Sequence, residues 1–338
     1  MDWPHRADDT PATGKISGTM PVFPRRTDME IGLAGLGRMG GNMARRLAAA
    51  GVRVFGFDAD PGVRSALAAE GVITPVESLV ALARPLSPPR VVWLMIPAGR
   101  TTEIAIQDVW PELAKGDVIV DGGNANYKDS QRRAASLATA GVEFVDCGVS
   151  GGVWGVRNGY TLMFGGSAHA AERIVPFAQI LAPAKDRGWI HCGPAGSGHF
   201  VKMIHNGIEY GMMQALAEGF ALMENKRELG LDVAAIAEAW RHGSVVRSWL
   251  LDLVAGFLRS DATLAGVAPI VADSGEGRWT VQEAVEQGVP APVLSLALMA
   301  RFASQGKDDY AGRLLAMMRK SFGGHDVTVA RDVPAGTP

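Results

Sequence analysis

Cysteine is scarce in this chain of 338 residues, which holds only Cys147 and Cys192. Two thiols cannot build a disulfide framework, although counting alone leaves a single bridge open, and they fit a reducing compartment, so a cytoplasmic protein is expected. An excess of one charge is also missing. The formal net charge is -2 with signs mixed along the chain, which provides neither a basic face for nucleic acid nor a polybasic patch for a membrane. No stretch approaches the ~20 apolar residues of a membrane span, and the longest, residues 91–96, is strand-sized. The seven histidines are scattered, without a His-x-x-x-His helix or a carboxylate cluster, so no zinc or magnesium site is expected. What remains is a chain long enough for two domains and suited to small-molecule chemistry. Residues 1–28 lack periodicity and an apolar targeting segment, and they read as a disordered extension.

From Met29 the pattern is ordered. A strand over residues 31–34 runs into Gly35-Leu36-Gly37-Arg38-Met39-Gly40 and then a helix bearing Met43, Ala44 and Leu47. In strand, G-x-G-x-x-G, helix, the first glycine permits the turn and the second admits a pyrophosphate to the backbone. The third brings helix and strand close, with the helix N-terminus facing the anion. A second strand over residues 52–57 ends in Asp58, at about the twenty-residue distance where an acid meets the adenosine ribose. A carboxylate accepts bonds from a ribose 2'-hydroxyl but repels a 2'-phosphate, and no arginine follows directly, so NAD is expected over NADP.

Strands over residues 91–99 and 117–124 alternate with helical segments, the signature of a Rossmann-type doubly wound parallel sheet. Ligands gather at the carboxyl ends of such strands, where Asn124 follows two glycines; it is a candidate for contacting nicotinamide and substrate, and equally an ordinary turn residue. Ser150-Gly151-Gly152 follows another apolar strand. Its N–H groups could cradle an anion, or, with Gly165-Gly166 after the next strand, form a hairpin-like joint.

Near Gly193-Pro194-Ala195-Gly196 the periodicity turns helical, placing a dinucleotide domain over 29–195 and an all-helical C-terminal domain over 196–330. Within GHFVKMIHNGIEYG, Val201, Ile204 and Ile208 read as the stripe packed in a core. Asn206 lies about 40° from Lys202 around the helix, and Glu209 about 20° to the other side, so the three share a face. A solvated face is the alternative, but His205 and Asn206 beside apolar neighbours, and Gly207 and Gly211 within the helix, favour a site. A buried lysine can serve as base and then acid, a carboxyl can supply a second proton transfer, and a nicotinamide takes hydride.

The motifs GLGRMG, DGGNANYKD, GVSGG, GPAGSGHFVKMIHNGIEYG and GEGRWT stand in an order that resembles the 6-phosphogluconate dehydrogenases of the β-hydroxyacid dehydrogenase superfamily. Dehydrogenases of the 3-hydroxyisobutyrate type would instead be expected to show Asp-x-Ser-Thr in place of Asp121-Gly122-Gly123-Asn124. The resemblance implies that Lys202 takes the carbon 3 hydroxyl proton and that Glu209 protonates the enediol left after carbon dioxide departs. It implies that Asn124, Ser150, Gly151, Gly152, His205 and Asn206 position 6-phosphogluconate, and that Tyr210 and Arg301 contact its phosphate. The run from Arg319 to His325 keeps the spacing of a family tail that reaches a neighbouring subunit, implying a homo-oligomer with shared sites. In three respects this chain departs from the longer members. It lacks much of their helical domain. It carries Ser274, Glu276 and Arg278 where they have lysine, threonine and lysine, so that loop's phosphate contacts are not carried over. Asp58 stands where NADP users have Asn-Arg-Thr, again pointing to NAD. The rival readings are a dehydrogenase of another β-hydroxyacid without decarboxylation, and a catalytically silent nucleotide-binding protein.

Overall fold

The computed structural model describes residues 29–307 and 309–323. Its first part is built from β1 (Glu30–Ala34), α1 (Arg38–Ala49), β2 (Arg53–Phe57), α2 (Pro61–Ala69), β3 (Thr74–Pro75), β4 (Val91–Leu94), α3 (Arg100–Val109), β5 (Val118–Asp121), α4 (Tyr127–Ala138), β6 (Glu143–Ser150), a one-turn α5 (Gly155–Asn158), β7 (Thr161–Gly165), α6 (Ala168–Leu181) and β8 (Trp189–Gly193). Helices follow: α7 (Ser197–Asn225), α8 (Val233–Trp240), α9 (Trp249–Ser260), α10 (Glu276–Gln287), α11 (Pro292–Ser304) and α12 (Asp309–Gly323).

The eight strands form one sheet in the order β3-β2-β1-β4-β5-β6-β7-β8. Parallel pairing runs from β3 to β6, as the alternation predicts, and β4 and β5 are fully buried because helices cover both faces. One pairing corrects the all-parallel reading: β6 and β7 are antiparallel, with Asp146 opposite Gly165 and Ser150 opposite Thr161. The short connection between them leaves no room for the crossover that a parallel pair requires, so the joint is hairpin-like. The sheet is therefore mixed. One apolar layer lies under α1 and α6, centred on Ile31, Leu33, Met43, Leu47, Phe164 and Ile174; a second lies under α3 and α4, around Leu82, Leu94, Ile106 and Phe144.

The 29-residue α7 links the two parts. Its first turns lie on β6 and β7, and its later turns join α8 and α9 through Leu216 and Phe220 in a separate small core. Gly193 and Gly196, at φ 141° and 96°, make the sharp entry into this helix, a conformation that side-chain-bearing residues resist. The carboxylate of Asp146, fully buried on β6, accepts the N–H groups of Gly196 at 2.6 Å and His199 at 2.7 Å and so caps the helix from the sheet.

Candidate active site

At the end of β1, a methyl group built on Gly35 (φ 83°) would lie 2.4 Å from the Met95 carbonyl oxygen, and one on Gly40 would lie 1.9 Å from the Gly35 oxygen. A methyl on Gly37 would meet nothing within 4 Å. The outer glycines thus serve packing, while the middle one faces open space. No side chain caps the first turn of α1 and no acid occupies it, so the N–H groups around Gly37, Arg38 and Met39 suit an anionic pyrophosphate. Asp58 closes the cradle: one carboxylate oxygen accepts the Leu36 N–H at 2.7 Å and the other that of Asp60 at 2.9 Å. Arg64, six residues on, donates to the Asp58 carbonyl oxygen and lies 5.5 Å above the Phe57 ring. Reading along the chain missed this guanidinium, which only the α2 turn brings beside Asp58.

Lys202 is only 5% exposed, and glycines explain how a lysine is buried there. A methyl group on Gly148 of β6 would stand 2.2 Å from Lys202 Cβ, and one on Gly198 would stand 2.5 Å from the Asp146 carbonyl oxygen. Both glycines let the polar face of α7 press directly on the sheet. On the other side, Thr280 of α10 donates to the Met203 carbonyl at 2.8 Å and fills the space beside Gly207. This seating overturns the expected apolar stripe. Val201 and Ile208 are 37% and 50% exposed, while His199, Lys202, Met203 and Tyr210 face inward. A glycine within the apolar strand of β6 was the signal for such close approach.

The row foreseen on α7 forms a connected cluster. Lys202 Nζ donates to Asn206 Oδ1 at 2.5 Å, His205 Nδ1 lies 3.0 Å from the same oxygen, and His205 and Glu209 approach to 3.9 Å. Burial pushes the Lys202 ammonium below the ordinary lysine range, against the pull of Glu209 and Glu276, which favour its charged form. Glu209, by contrast, keeps a side chain 40% exposed. A reluctant cation thus sits beneath a solvent-facing carboxylate, the pairing needed for proton removal at one atom and delivery at another.

Asn124, in the left-handed region at φ 51°, accepts the Val149 N–H at 3.0 Å and donates to the Val149 carbonyl at 3.4 Å. Its amide therefore ties the end of β5 to β6, next to Ser150 and one residue from Gly148. Gly151 and Gly152 have φ values of 132° and 52°, and a methyl on Gly152 would meet nothing, leaving that turn open to a ligand. Tyr210 lies under the guanidinium of Arg301, 3.4 Å from the ring centroid, and its hydroxyl meets Ser274 Oγ at 3.1 Å. Arg301 also donates to the Ala272 carbonyl. Arg319 is exposed on α12 and makes none of the bonds joining this cluster, and His325 lies outside the described residues. Sequence reasoning left out three buried groups from three different elements: His199 and Asp146 at the start of α7, and Glu276 of α10, which accepts from Ser274 next to Tyr210. Among the described residues, no group of three His, Cys, Asp or Glu could hold a metal ion, and no helix is long and apolar enough to cross a membrane.

Residues 30–191 match the family profile described as the NAD binding domain of 6-phosphogluconate dehydrogenase, and residues 198–329 match that of the 6-phosphogluconate dehydrogenase C-terminal domain. The NAD(+)-dependent, decarboxylating 6-phosphogluconate dehydrogenase of Haloferax volcanii is 41% identical over 300 residues, spanning 88% of this chain and 98% of that protein. The NADP(+)-dependent, decarboxylating enzyme of Bacillus subtilis is 34% identical over 83% of this chain and 62% of its own length, so this chain spans about three-fifths of such longer relatives. Among solved structures, Plasmodium falciparum 6-phosphogluconate dehydrogenase superposes with a TM-score of 0.76 at 30% identity, covering 90% of this chain and 67% of that one. With two family domains in order and relatives matched along nearly their whole length, the chain belongs to the 6-phosphogluconate dehydrogenase family.

Proposed function

We propose that the protein oxidatively decarboxylates 6-phosphogluconate to ribulose 5-phosphate and carbon dioxide with reduction of NAD. The carrying observation is the seat of Lys202: a buried ammonium pressed on Gly148, bonded to Asn206 and on one helical face with Glu209. Gly35, Leu36, Gly37, Arg38, Met39, Gly40 and Asp58 would hold NAD, with Asn124 at its reactive end, and the bound cofactor supplies the hydride acceptor. Neutral Lys202 takes the proton of the carbon 3 hydroxyl as that carbon is oxidised. The resulting ketone is β to the carboxylate and accepts the electron pair released when the bond to carbon dioxide breaks. Lys202, now an ammonium, donates to the enediol oxygen, and Glu209 delivers a proton to the carbon that becomes carbon 1 of the product. Asn124, Ser150, Gly151, Gly152, His205 and Asn206 orient the sugar acid, while Tyr210 and Arg301 receive its phosphate.

NAD is favoured because the Asp58 carboxylate stands at the end of β2, where a 2'-phosphate would meet like charge. Arg64 is the group that could soften this preference, and relatives of both cofactor types exist. The reading includes a dinucleotide domain over 29–195, a helical domain over 196–330, a cytoplasmic location, and a homo-oligomer in which Arg319 and His325 reach a neighbouring site. The test is purified protein with 6-phosphogluconate and either NAD or NADP, following reduced cofactor and evolved gas. Reduced cofactor without gas would mean oxidation without decarboxylation, and no reduction with either cofactor would favour another β-hydroxyacid as substrate; Lys202→Ala with near-normal turnover would remove the assigned base.

A further inference from the structure

Arg133 takes no part in the chemistry above, yet its side chain is 1% exposed in the middle of α4 and carries a charge into the protein. The guanidinium is spread over three acceptors. Nη1 donates to Asp121 Oδ2 at 2.9 Å, Nε to Glu103 Oε2 at 2.9 Å and Nη2 to the Gly99 carbonyl at 3.3 Å. Asp121 closes β5 and is fully buried, whereas Gly99 and Glu103 belong to the N-terminal turn of α3, just after β4. One planar fork thus joins the segments that leave two adjacent parallel strands at their carboxyl ends, where a doubly wound sheet binds its ligands.

The connection continues beyond Asp121. Its other oxygen, Oδ1, accepts the Gly123 N–H at 3.0 Å, and the Gly122 N–H bonds the Leu94 carbonyl at 2.8 Å. A methyl on Gly123 would lie 2.4 Å from the Ile96 carbonyl oxygen, so this turn is pressed on the segment after β4. It delivers Asn124 at φ 51°, with Oδ1 accepting the Val149 N–H at 3.0 Å. A bonded path therefore runs from Arg133 through Asp121 and Gly123 to Asn124 and β6. A buried ion pair often adds little stability over apolar packing of equal volume; what this one supplies is a fixed geometry. We propose that Arg133 is a positioning residue: by clamping Asp121 to the start of α3 it holds the turn over residues 122–124, and so sets where the Asn124 amide meets nicotinamide and sugar acid. The part given to Asn124 rests on the functional reading above.

Arg133→Lys keeps the positive charge, but a single ammonium cannot reproduce a planar fork reaching three acceptors. The first readout needs no cofactor. Hydrogen exchange at the Val149 N–H, whose partner is the Asn124 side chain, should speed up about tenfold relative to the other β6 amides in the folded variant. The second is kcat for 6-phosphogluconate oxidation beside the dissociation constant for NAD. The rate should fall about tenfold to a hundredfold while the constant stays near wild type, because the glycine turn before α1 and Asp58 are untouched. An arginine with a purely structural role would instead lower the melting temperature and move all β6 amides together. A relative Val149 exchange or a kcat equal to wild type in the folded variant overturns the proposal. If the lysine variant does not fold, Glu103→Gln decides. It loosens the same guanidinium from a side chain 30% exposed, and should move exchange and rate in the same directions by a smaller factor; no change in either overturns the proposal. If wild type fails to oxidise 6-phosphogluconate, the functional reading falls, while the Val149 exchange still decides whether Arg133 holds the turn.

Discussion

Gly148→Ala should disable the site without replacing a single ionisable group. The new methyl would stand 2.2 Å from Lys202 Cβ, 2.8 Å from its Cγ and 3.2 Å from the Gly198 carbonyl oxygen. Carbon atoms prefer about 3.5–4.0 Å, so α7 and β6 must separate by roughly 1.5 Å, and the rigid Cβ of the helix cannot swing aside as the end of a long side chain would. Overpacking of this kind costs about 1–3 kcal/mol of stability. Its effect on catalysis is larger, because a misplacement of about 1 Å in a positioned catalytic group lowers the rate roughly a hundredfold. The measurement is kcat for 6-phosphogluconate oxidation beside the dissociation constant for NAD. The first should fall by about two orders of magnitude while the second stays near wild type, since the Gly35–Gly40 turn lies across the sheet from this contact. An alanine variant with full kcat would refute the idea that the glycine seat positions Lys202. Gly256→Ala serves as the contrast: this exposed position in α9 has nothing within 4 Å of an added methyl, so a gain of about 0.5–1 kcal/mol in unfolding free energy is expected.

Asp146→Ala removes the acceptor of two N–H groups at the start of α7, and chemical denaturation should show a loss of about 3 kcal/mol. Glu103 is held by Arg132 and Arg133, which bring its carboxyl down to about 2, so the unfolded chain binds the extra proton as acid is added. Its stabilisation is therefore complete above the ordinary carboxylate range and lost as pH falls from there toward about 2; thermal midpoints measured across that window should decline less steeply in Glu103→Gln. Asp58→Ala frees the Leu36 N–H and the ribose partner together, so the Michaelis constant for NAD should rise at least tenfold, with the ratio of NADP to NAD efficiency rising as well.

Much of the site was legible because its elements are local. The glycine turn before α1, Asp58 ending β2, and the spacing of Lys202, Asn206 and Glu209 each lie within one strand-turn-helix unit or one helix, where periodicity carries the geometry. The orientation of α7 was not legible. Counting apolar residues turned Val201, Ile204 and Ile208 toward the core, whereas the helix is rotated so that its lysine is buried. The apolar pattern of the helix does not announce this, since the decision belongs to Gly148 and Gly165 of the sheet together with Gly198 of α7, whose missing side chains let the backbone of α7 reach the sheet.

The chain order alone determined that strands alternate with helices, that a glycine-rich turn opens the sheet and that one helix carries Lys202, Asn206 and Glu209 on one face, because each depends on residues a few positions apart. Tertiary structure alone decided that β7 runs against β6, and that Glu276 of α10 is buried beside Ser274, whose hydroxyl meets that of Tyr210 on α7. Those outcomes follow from steric contact between distant segments, and a carboxylate acquires its meaning only once packing has removed the water between it and its neighbour.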